Sequence, residues 1–353
     1  MHQPLLRLPP NRVRRNYRGG ALLEKLCNRP GVDGNKPEDW IASTVVASNP
    51  GLEEIEGEGL AKVVDASGKE RNLADLFADA PQYYLGSNPL QCAGAQLGFL
   101  VKLLDSAIRL PLQAHPTSTF ARKHLGSNWG KLEAYVILAT RPGIEAYIRL
   151  GFQRAPSPEE WFRIVTEQDI PAMDSCFDRV PVREGEVWLV PGGMPHAIGE
   201  GILLLEIMEP SDLVVRCEFE REGIVVPPAA RFMQRDPAFA LQIFDYEELS
   251  VSQVTQRFRI TPQRISENEE QLIGHDQSST FSVRRIITQK PMSLLFVAHV
   301  RIGVVTRGLG TLVVAGQKME LFPGAKFLIS AQAPEGVLRP KRGTEIEILI
   351  CSP

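Results

Sequence analysis

Residues 185–196 read Gly-Glu-Val-Trp-Leu-Val-Pro-Gly-Gly-Met-Pro-His, and this stretch decides the fold assignment. A turn at Gly185 leads into a short apolar run at residues 187–190, which predicts a β-strand. The Pro-Gly-Gly bend that follows ends this strand. His196 comes directly after the bend, so we expect its side chain at a strand edge, facing the inside of a β-barrel. That position is suited to a metal ligand.

Length and composition describe an ordinary globular chain. It has 353 residues, of which 43% are hydrophobic and 23% charged, and one or two domains are expected at about 150 residues each. The longest apolar runs are far shorter than the ~20 residues that a membrane-spanning helix needs. Residues 1–15 mix Arg with Pro and lack the apolar stretch of a secretory signal. We therefore expect a cytoplasmic protein without a membrane span.

Charge and cysteine content exclude several classes of protein. The net charge of −3 provides no positive field that would hold a nucleic acid. The five cysteines are an odd, scattered set without any C-x-x-C, which suits neither a disulfide framework nor a thiolate zinc site. They are Cys27, Cys92, Cys176, Cys217 and Cys351. Any bound metal should therefore have nitrogen and oxygen ligands.

The order of local patterns predicts a mainly β fold with some helix, arranged as two β units. Residues 97–104 are dense in apolar side chains around one charge, Lys102, and are compatible with a buried strand or a short helix. Residues 157–160, Ser-Pro-Glu-Glu, have the pattern of a helix N-terminus. From residue 180 onward, short apolar runs alternate with Gly- and Pro-rich turns, as in an antiparallel sandwich or barrel. The predicted strands lie at residues 134–138, 187–190, 202–208, 213–217, 281–287, 294–300, 303–305, 311–314 and 346–350.

Four residues that are distant along the chain form a candidate metal site. Gln113 and His115 are two positions apart in Gln-Ala-His-Pro, so on a strand both side chains point to the same face. Glu133 ends the segment Gly-Lys-Leu-Glu, directly before a predicted strand. Together with His196 they offer two nitrogen and two oxygen ligands, a set suited to Zn²⁺ with an open coordination position.

Each histidine also has a purely structural interpretation. A single His in an apolar strand is more often a core residue than a ligand, and we expect structural or surface roles for His124, His275 and His299. For His196 alone the two interpretations weigh equally. Its combination with the Gln-x-His pair and with Glu133 favours metal binding.

The stretch around His196 resembles the cupin family. Its spacing Gly-x5-Pro-x-Gly-x2-His matches the second sequence motif of that family through His196, although Glu200 stands where Asn is usual. The resemblance implies two cupin-like barrel or sandwich units. We expect a catalytic, metal-binding cupin domain at residues 1–245, with an N-terminal segment and inserted helices, and a degenerate cupin-like β domain at residues 246–353.

The motif series as a whole resembles the class I (type I) mannose-6-phosphate isomerases. The matching segments are residues 12–20, 37–43, 113–116, 130–133, 190–197 and 205–207, followed by Ser211-Asp212 and Arg216. The resemblance covers residues 12–221 with good specificity. Residues 246–353 fit only as a second β unit that lacks the motif histidine.

The resemblance implies a ligand set and several active-site residues. In that family Zn²⁺ is held by the Gln and His of Gln-x-His-Pro, the Glu of Lys-x-Glu and the His of the later turn, which correspond to Gln113, His115, Glu133 and His196. It also implies that Arg216 is an active-site residue and that Lys102 and Lys131 line the sugar-phosphate site. Leu132 and Cys217-Glu218 depart from the family pattern, which leaves the substrate range open more than the reaction type.

Interconversion of an aldose and a ketose moves a proton between C1 and C2 through a cis-enediol. The site needs a base, a Lewis acid such as Zn²⁺ to stabilise the enediolate, and groups that bind the phosphate. The available proton carriers are a metal-bound water and the side chains of Glu206, Asp212 and Lys131. We favour Glu206 or Asp212, because both lie close in sequence to Arg216. Lys102, Lys131 and Arg216 are expected to pair with the phosphate or the enediolate oxygen.

The resemblance thus implies a zinc-dependent isomerase of mannose 6-phosphate and fructose 6-phosphate, with a small-molecule sugar phosphate as its partner. A non-catalytic cupin that binds a sugar or sugar phosphate stays open as the alternative, although a mere binder would not need Lys131, Asp212 and Arg216 together. An Fe²⁺ oxygenase ranks last, because its pocket would normally present more than two histidines. The sequence leaves the oligomeric state open.

The charged candidates and the tryptophans also have structural interpretations. Lys102 and Lys131 could extend along the barrel rim, and Asp212 could cap a turn. Glu206 and Arg216 could be a structural pair across adjacent strands. We expect the four tryptophans to serve packing rather than sugar binding, and they are Trp40, Trp129, Trp161 and Trp188.

Overall fold

The computed structural model describes residues 2–49, 51–88 and 94–353. The strands are β1 (Leu5–Leu8), β2 (Arg12–Val13), β3 (Glu38–Ile41), β4 (Lys62–Val64), β5 (Glu70–Asn72), β6 (Leu100–Ser106), β7 (Gln113–Ala114), β8 (Glu133–Thr140), β9 (Tyr147–Leu150), β10 (Val180–Pro181), β11 (Val187–Val190), β12 (His196–Ile198), β13 (Ile202–Met208), β14 (Val215–Arg216), β15 (Glu220–Arg221), β16 (Ile224–Val225), β17 (Arg259–Ile260), β18 (Gln263–Arg264), β19 (Glu269–Ile273), β20 (Ser282–Thr288), β21 (Met292–Leu294), β22 (Arg301–Arg307), β23 (Gly310–Val314), β24 (Gln317–Leu321), β25 (Lys326–Ile329), β26 (Gly336–Pro340) and β27 (Ile346–Ser352).

Helices are fewer and mostly short. The α-helices span Ala21–Leu26, Leu73–Asp79, Pro81–Tyr84, Ser118–Phe120, Pro158–Glu167, Ile170–Ser175, Pro237–Ala240 and Val251–Phe258, with a π-helical turn at Ala121–Leu125 and 3-10 turns at Pro228–Ala230 and Leu241–Ile243. The prediction of a mainly β fold with some helix is confirmed.

Four antiparallel sheets lie on one another in layers. The first has five strands in the order β10-β9-β12-β7-β14, and the second has seven in the order β17-β11-β8-β13-β6-β3-β2. The third also has seven, in the order β1-β25-β22-β27-β20-β19-β18, and the fourth has four, in the order β21-β26-β23-β24. One apolar cluster joins the first sheet to the second, another joins the second to the third, and a further one joins the third to the fourth. The core therefore consists of successive layers.

Strand β13 shows how the sequence alternation positions the functional side chains. Ile202 and Leu204 pack toward the first sheet, whereas Leu203 and Leu205 pack toward the third. Because side chains alternate along a strand, Glu206 points toward the first sheet. The same alternation applies to the neighbouring strands, where Leu104 on β6 and Tyr135 on β8 also pack toward the first sheet. Lys102 is two residues from Leu104 and Glu133 is two residues from Tyr135, so both point the same way. Three buried ionisable side chains thus face the same interlayer space.

The helical segment predicted to start at residue 157 covers the outer face of the first sheet. The Ser157 hydroxyl accepts a hydrogen bond from the Glu160 backbone amide at 3.1 Å and caps the helix Pro158–Glu167. Trp161 on this helix and Met173 on the next belong to an apolar cluster that includes Ala114 and Ala197 of the first sheet. The helices therefore shield the sheet that carries Gln113 and His196.

Most predicted strands are present, with two corrections. The strands predicted at 187–190 and 202–208 are observed at those positions as β11 and β13, and of the apolar run at 97–104, residues 100–104 lie in strand β6. The strand predicted at 213–217 is reduced to β14, Val215–Arg216. The strand predicted at 294–300 is wrong: β21 ends at Leu294, β22 begins at Arg301, and the side chains of Leu295 and Phe296 are exposed.

Strands from distant parts of the chain meet in two of the sheets. Leu5–Leu8 of β1 pairs with β25, with Leu5 opposite Ile329, so a strand near the start of the sequence lies in the third sheet. Strand β17 pairs with β11 in the second sheet, with Arg259 opposite Trp188. The domain boundary predicted at residue 245 stays a prediction.

The remaining expectations concern membranes and cysteines. Within residues 2–49, 51–88 and 94–353, no helix has both the length and the apolar content to cross a membrane. The cysteines that the structure describes carry free thiols, and these are Cys27, Cys176, Cys217 and Cys351. Cys92 lies outside the described residues.

Candidate metal centre and active-site cleft

His115, Glu133 and His196 converge at one buried point between the first and second sheets. One ligand atom from each residue can be chosen so that all of them lie within 4.8 Å of one another. His115 Nε2 is 3.1 Å from Glu133 Oε1, and His196 Nε2 is 3.5 Å from Glu133 Oε2. None of these side chains is more than 2% exposed. The predicted convergence of these three residues is therefore present.

Backbone carbonyls fix both imidazole rings in one tautomer. His115 Nδ1 donates to the Leu213 carbonyl at 2.8 Å, and His196 Nδ1 donates to the Met194 carbonyl at 2.9 Å. In a neutral imidazole the other nitrogen then carries a lone pair. Both Nε2 atoms therefore face the site as unprotonated donors to a metal, the arrangement by which proteins orient ligating histidines.

The acceptor atoms of the site lack a cation that would satisfy all of them. His115 Nε2 and Glu133 Oε1 both carry lone pairs although they are 3.1 Å apart, and Glu133 Oε1 is buried without a hydrogen-bond partner. The Lys131 ammonium lies 3.0 Å from Glu133 Oε1 and 3.3 Å from His115 Nε2, and it partly compensates this charge. A divalent cation would satisfy the remaining lone pairs, so this donor set fits a metal ion.

Gln113 is placed beside the trio by strand pairing. It lies opposite His196 in the register of β7 and β12, and its amide Nε2 is 3.4 Å from His196 Nε2. The neighbouring residue Ala114 packs to the outside of the first sheet, so alternation turns Gln113 inward. Rotation of the amide by 180° would place its oxygen toward the site. The fourth predicted ligand is thus within reach of the others.

The electrostatic environment keeps these groups in the forms that bind a metal. Burial and the Lys131 ammonium lower the pKa of His115 to about 4. Burial also lowers the pKa of His196. Burial alone would raise the pKa of Glu133, but Lys131 and His115 outweigh it and hold this pKa well below its ordinary value. At neutral pH the site therefore consists of two neutral imidazoles and one carboxylate.

A narrow polar cleft adjoins the trio and opens beside Gln113 and Lys131. Its charged or polar lining residues come from the N-terminal segment, from β3, β6, β7, β13 and β14, and from the turns around residues 131 and 212. They are Arg15, Asn16, Tyr17, Glu38, Lys102, Gln113, Lys131, Glu206, Asp212 and Arg216. Every residue predicted to act in catalysis or substrate binding is in this lining. The structure thus brings the predicted set together around one space.

Lys102 and Glu206 form the buried charged centre of this cleft. Lys102 Nζ is 3.2 Å from Glu206 Oε2 and 3.8 Å from Glu38 Oε2, and it lies 4.9 Å from the centre of the Trp40 ring. Burial acts to lower the pKa of Lys102, but Glu206 and Glu38 raise it overall. Burial raises the pKa of Glu206, although Lys102 opposes this shift. The pKa of Glu206 is thus raised, whereas that of Glu38 is lowered, so Glu206 is the more readily protonated of these two carboxylates.

Arg216 is a cation without an acidic partner. Its guanidinium donates to the Ala230 carbonyl at 2.7 Å, and within the described residues no carboxylate oxygen lies within 4.0 Å of it. Burial and the nearby Arg15 lower the pKa of Arg216 to about 10. Asp212 opposes this shift without contacting the guanidinium, and a buried cation in this situation is suited to an anionic ligand.

Sequence reasoning missed the contribution of the N-terminal segment and β3. Arg15 Nε lies 3.2 Å from Glu38 Oε1, and the Tyr17 hydroxyl donates to the same oxygen at 2.5 Å. Although burial acts to raise it, the pKa of Glu38 is lowered to about 2 by Arg15 and Lys102. The signal was available, because residues 12–20 and 37–43 belong to the motif series, but their spacing does not place them at the cleft.

Three of the four tryptophans serve packing, as expected. Trp161 and Trp188 are fully buried in apolar clusters, and Trp40 is 1% exposed. Trp40 also donates through Nε1 to Glu38 Oε2 at 2.6 Å, which orients that carboxylate. Trp129 is half-buried and is absent from the lining of the cleft.

The chain is similar to known proteins in sequence and in fold. No protein-family model matches the chain. The mannose-6-phosphate isomerase of Streptococcus mutans is 35% identical over 165 residues, which are 46% of this chain and 48% of that protein. Mannose-6-phosphate isomerase ManA of Bacillus subtilis is 33% identical over 126 residues, which are 36% of this chain and 38% of that protein. The chain thus spans about half the length, or less, of the curated relatives it matches.

The likeness in fold extends over the whole chain. The crystal structure of the mannose 6-phosphate isomerase from Bacillus subtilis superposes with a TM-score of 0.76 at 19% identity, covering 99% of this chain and 100% of that one. A zinc-bound mannose 6-phosphate isomerase superposes with a TM-score of 0.72 at 14% identity, covering 99% and 100%. At these identities the superpositions establish the fold. The resemblance to mannose-6-phosphate isomerases that the motif series indicates is confirmed.

Proposed function

We propose that the protein is a zinc-dependent aldose-ketose isomerase that interconverts mannose 6-phosphate and fructose 6-phosphate. The observation that carries this proposal is the pair of unprotonated Nε2 atoms on His115 and His196, which meet Glu133 beside a cleft lined by cations. The sequence matches to mannose-6-phosphate isomerases, and the zinc in one structure of that fold, support the choice of substrate and metal.

The metal would be held by the four predicted residues, Gln113, His115, Glu133 and His196. When bound, Zn²⁺ supplies a Lewis acid that stabilises negative charge developing on the sugar oxygens. Lys131, whose Nζ is 3.0 Å from Glu133 Oε1, adds a second positive charge beside the same oxygens. Low exposure of the whole group keeps bulk water out and strengthens these electrostatic interactions.

Arg216 is proposed as the main ligand of the phosphate. It is the lining guanidinium without an acidic partner among the described residues, and a guanidinium can bind two phosphate oxygens at once. Arg15 lies close enough to lower the pKa of Arg216, so the two cations can act on one dianion. Lys102 is already held between Glu206 and Glu38, which favours a role in fixing these carboxylates and the sugar hydroxyls.

Proton transfer between C1 and C2 is assigned to Glu206 or Asp212, both of which line the cleft. Burial raises the pKa of Glu206, which brings it closer to the pH at which a carboxyl group both accepts and releases a proton readily. Asp212 is less buried and lies four residues before Arg216. Replacing each by its amide, Glu206→Gln and Asp212→Asn, keeps the shape and removes the base. The variant that loses exchange of the C2 proton with solvent identifies the carrier.

The test of this function combines metal analysis with an isomerase assay. We expect the purified protein to contain about one zinc per chain and to convert mannose 6-phosphate to the ketose. His115→Ala and His196→Ala should lose both metal and turnover, whereas His124→Ala, at an exposed histidine, should keep both. A chelated, metal-free protein that still isomerises the sugar would refute the proposal. Binding of mannose 6-phosphate without any turnover would instead establish the non-catalytic binder.

A further inference from the structure

A second group of cationic side chains lies in the C-terminal region, apart from the cleft. Arg301, at the start of β22, is 4% exposed. Its Nη1 donates to the Leu295 carbonyl at 2.9 Å, whereas its Nε is buried without a hydrogen-bond partner among the described residues. Among residues 2–49, 51–88 and 94–353, no carboxylate oxygen lies within 4.0 Å of this guanidinium. A buried cation without a counter-ion is costly, so Arg301 requires an explanation.

The strand register places two further polar residues beside Arg301. Strands β20, β27 and β22 are adjacent in the third sheet, with Ser282 opposite Ser352 and Ile302 opposite Cys351. This register puts Arg301 next to Ser352. Ile350 packs toward the fourth sheet, and so by alternation do Ser352 and Arg284, which lies opposite Ile350. Arg284, Ser352 and Arg301 therefore project from the same face of three neighbouring strands.

Two more buried polar atoms in this region lack partners. Ser352 Oγ and His299 Nδ1 are both buried without a hydrogen bond, as is Arg301 Nε. A hydroxyl, an imidazole N–H and a guanidinium N–H can all donate. Buried polar atoms are nearly always paired with protein, water or a ligand, so these three potential donors are available to an acceptor from outside the chain.

The local field is positive. Burial lowers the pKa of His299, and the further causes of this shift are the cations Arg301 and Arg284 and the imidazole of His275. Burial and Arg284 lower the pKa of Arg301 to about 10. The acidic group at this location is Glu269, whose Oε2 is 3.6 Å from an Arg284 nitrogen and compensates that residue in part. Because this field is positive, the acceptor that these donors favour is an anion.

We propose that Arg301, Arg284, His299 and Ser352 form a binding site for a phosphate group between the third and fourth sheets. Two guanidinium groups with a hydroxyl and an imidazole match a tetrahedral dianion that accepts several hydrogen bonds. Arg284 and His299 are partly exposed, so the site adjoins the surface. It shares no residue with the cleft lining and does not depend on the proposed isomerase activity.

The test is a titration of the full-length protein with inorganic phosphate, read out by NMR at the His299 ring. Selective ¹³C labelling of histidine Cε1 reports each ring separately, and His299→Gln assigns the signal. Chloride at matched ionic strength and constant pH serves as the blank, and methyl phosphate tests whether a monoester also binds. We expect a saturable shift of the His299 signal that Arg301→Met weakens by about tenfold or more, because hydrogen bonds to charged groups are lost.

Two further variants keep the result interpretable. Arg284→Met removes the half-exposed cation and should weaken binding even if Arg301→Met fails to fold. Arg339→Met removes an exposed cation on β26 and should leave the titration unchanged. A His299 signal that does not respond to phosphate, or a response that survives in folded Arg301→Met and Arg284→Met, would overturn the proposal. Neither result depends on whether the cleft isomerises a sugar.

Discussion

Lys102 and Glu206 lie directly opposite each other on β6 and β13, and their side chains meet with Nζ 3.2 Å from Oε2 although both are almost fully buried. The pairing connects the central strand of the second sheet to its neighbour and lines the cleft at the same time. A charged pair at this depth has a desolvation cost that packing alone would not require. Its position therefore supports a role in chemistry.

Replacement of one partner of this pair should be more harmful to stability than replacement of both. Lys102→Met leaves Glu206 buried without its cation, and we expect a loss of about 3–5 kcal/mol in the free energy of unfolding. The double variant Lys102→Met with Glu206→Leu should recover part of that loss, because no uncompensated carboxylate remains at this position. Urea denaturation of the two single variants and the double variant measures the coupling, and simple additivity would contradict it.

The stability of the metal-free protein should fall as the pH is lowered from 6.5 toward 4. In the unfolded chain His115 binds a proton near its ordinary pKa of 6.5, whereas in the folded protein its pKa is lowered to about 4. The unfolded state therefore binds more protons in this window, and His115 can contribute up to about 1.4 kcal/mol per pH unit. Urea unfolding at several pH values gives the free energy of unfolding as a function of pH. Its slope against pH should be shallower for His115→Gln than for the wild type. His124→Gln, at an exposed histidine, should keep the wild-type slope.

Removal of the Arg216 charge should lower activity without lowering stability. Because burial without an acidic partner is unfavourable, Arg216→Met should melt at the same temperature as the wild type or higher. We expect kcat/KM for mannose 6-phosphate to fall by about a hundredfold or more, since charge-assisted contacts to the phosphate are lost. The control Arg235→Met removes an exposed arginine nearby and should alter neither quantity. A destabilised variant with normal kcat/KM would contradict the proposed role.

Arg141 holds the N-terminal segment in place by bridging two carboxylates. Its Nη2 lies 2.9 Å from Asp105 Oδ1, and its Nη1 lies 2.6 Å from Asp33 Oδ2. Asp105 Oδ2 accepts hydrogen bonds from the backbone amides of Gly20 and Leu22 at 2.7 and 2.9 Å. We expect Arg141→Met to lower the free energy of unfolding by about 2–4 kcal/mol, because the fully buried Asp105 carboxylate loses its cation.

The effect of Arg141→Met should extend to substrate binding. The segment that Asp105 anchors continues to Arg15 and Tyr17 of the cleft, so KM should rise. Arg163→Met, which breaks an exposed pair with Glu167 on one helix, is the matched control and should leave stability nearly unchanged. Thermal melts and steady-state kinetics on both variants test this prediction, which fails if the two behave alike.

The sequence was sufficient for features that depend on local pattern. The Gly turn and the Pro-Gly-Gly bend define β11 and place His196 at the start of β12, because these residues restrict the backbone directly. The two-residue spacing of Gln113 and His115 is a local signal of the same kind. The approach of Glu133 from β8 to these two residues was predicted from the motif series, because periodicity alone does not indicate it.

Features that depend on long-range packing could not be predicted in this way. Glu38 and Arg15 reach the cleft only because β3 pairs with β6, a contact between segments about 60 residues apart. The run at 294–300 is apolar enough for a strand, yet Leu295 and Phe296 are exposed in a loop. The Leu295 carbonyl accepts a hydrogen bond from Arg301, which anchors the loop instead of extending β21. Hydrophobicity alone does not reveal such a side-chain contact.

The pairing of Leu5–Leu8 with Lys326–Ile329 has a consequence for how the polypeptide is made. A nascent chain elongates at about 5–20 residues per second, so β1 emerges from the ribosome roughly 15 to 65 seconds before its partner β25. During this interval its apolar side chains, Leu5, Leu6 and Leu8, are without their native neighbours and are exposed to chaperones or to other chains. The third sheet can be completed only after β27, Ile346–Ser352, has left the ribosome.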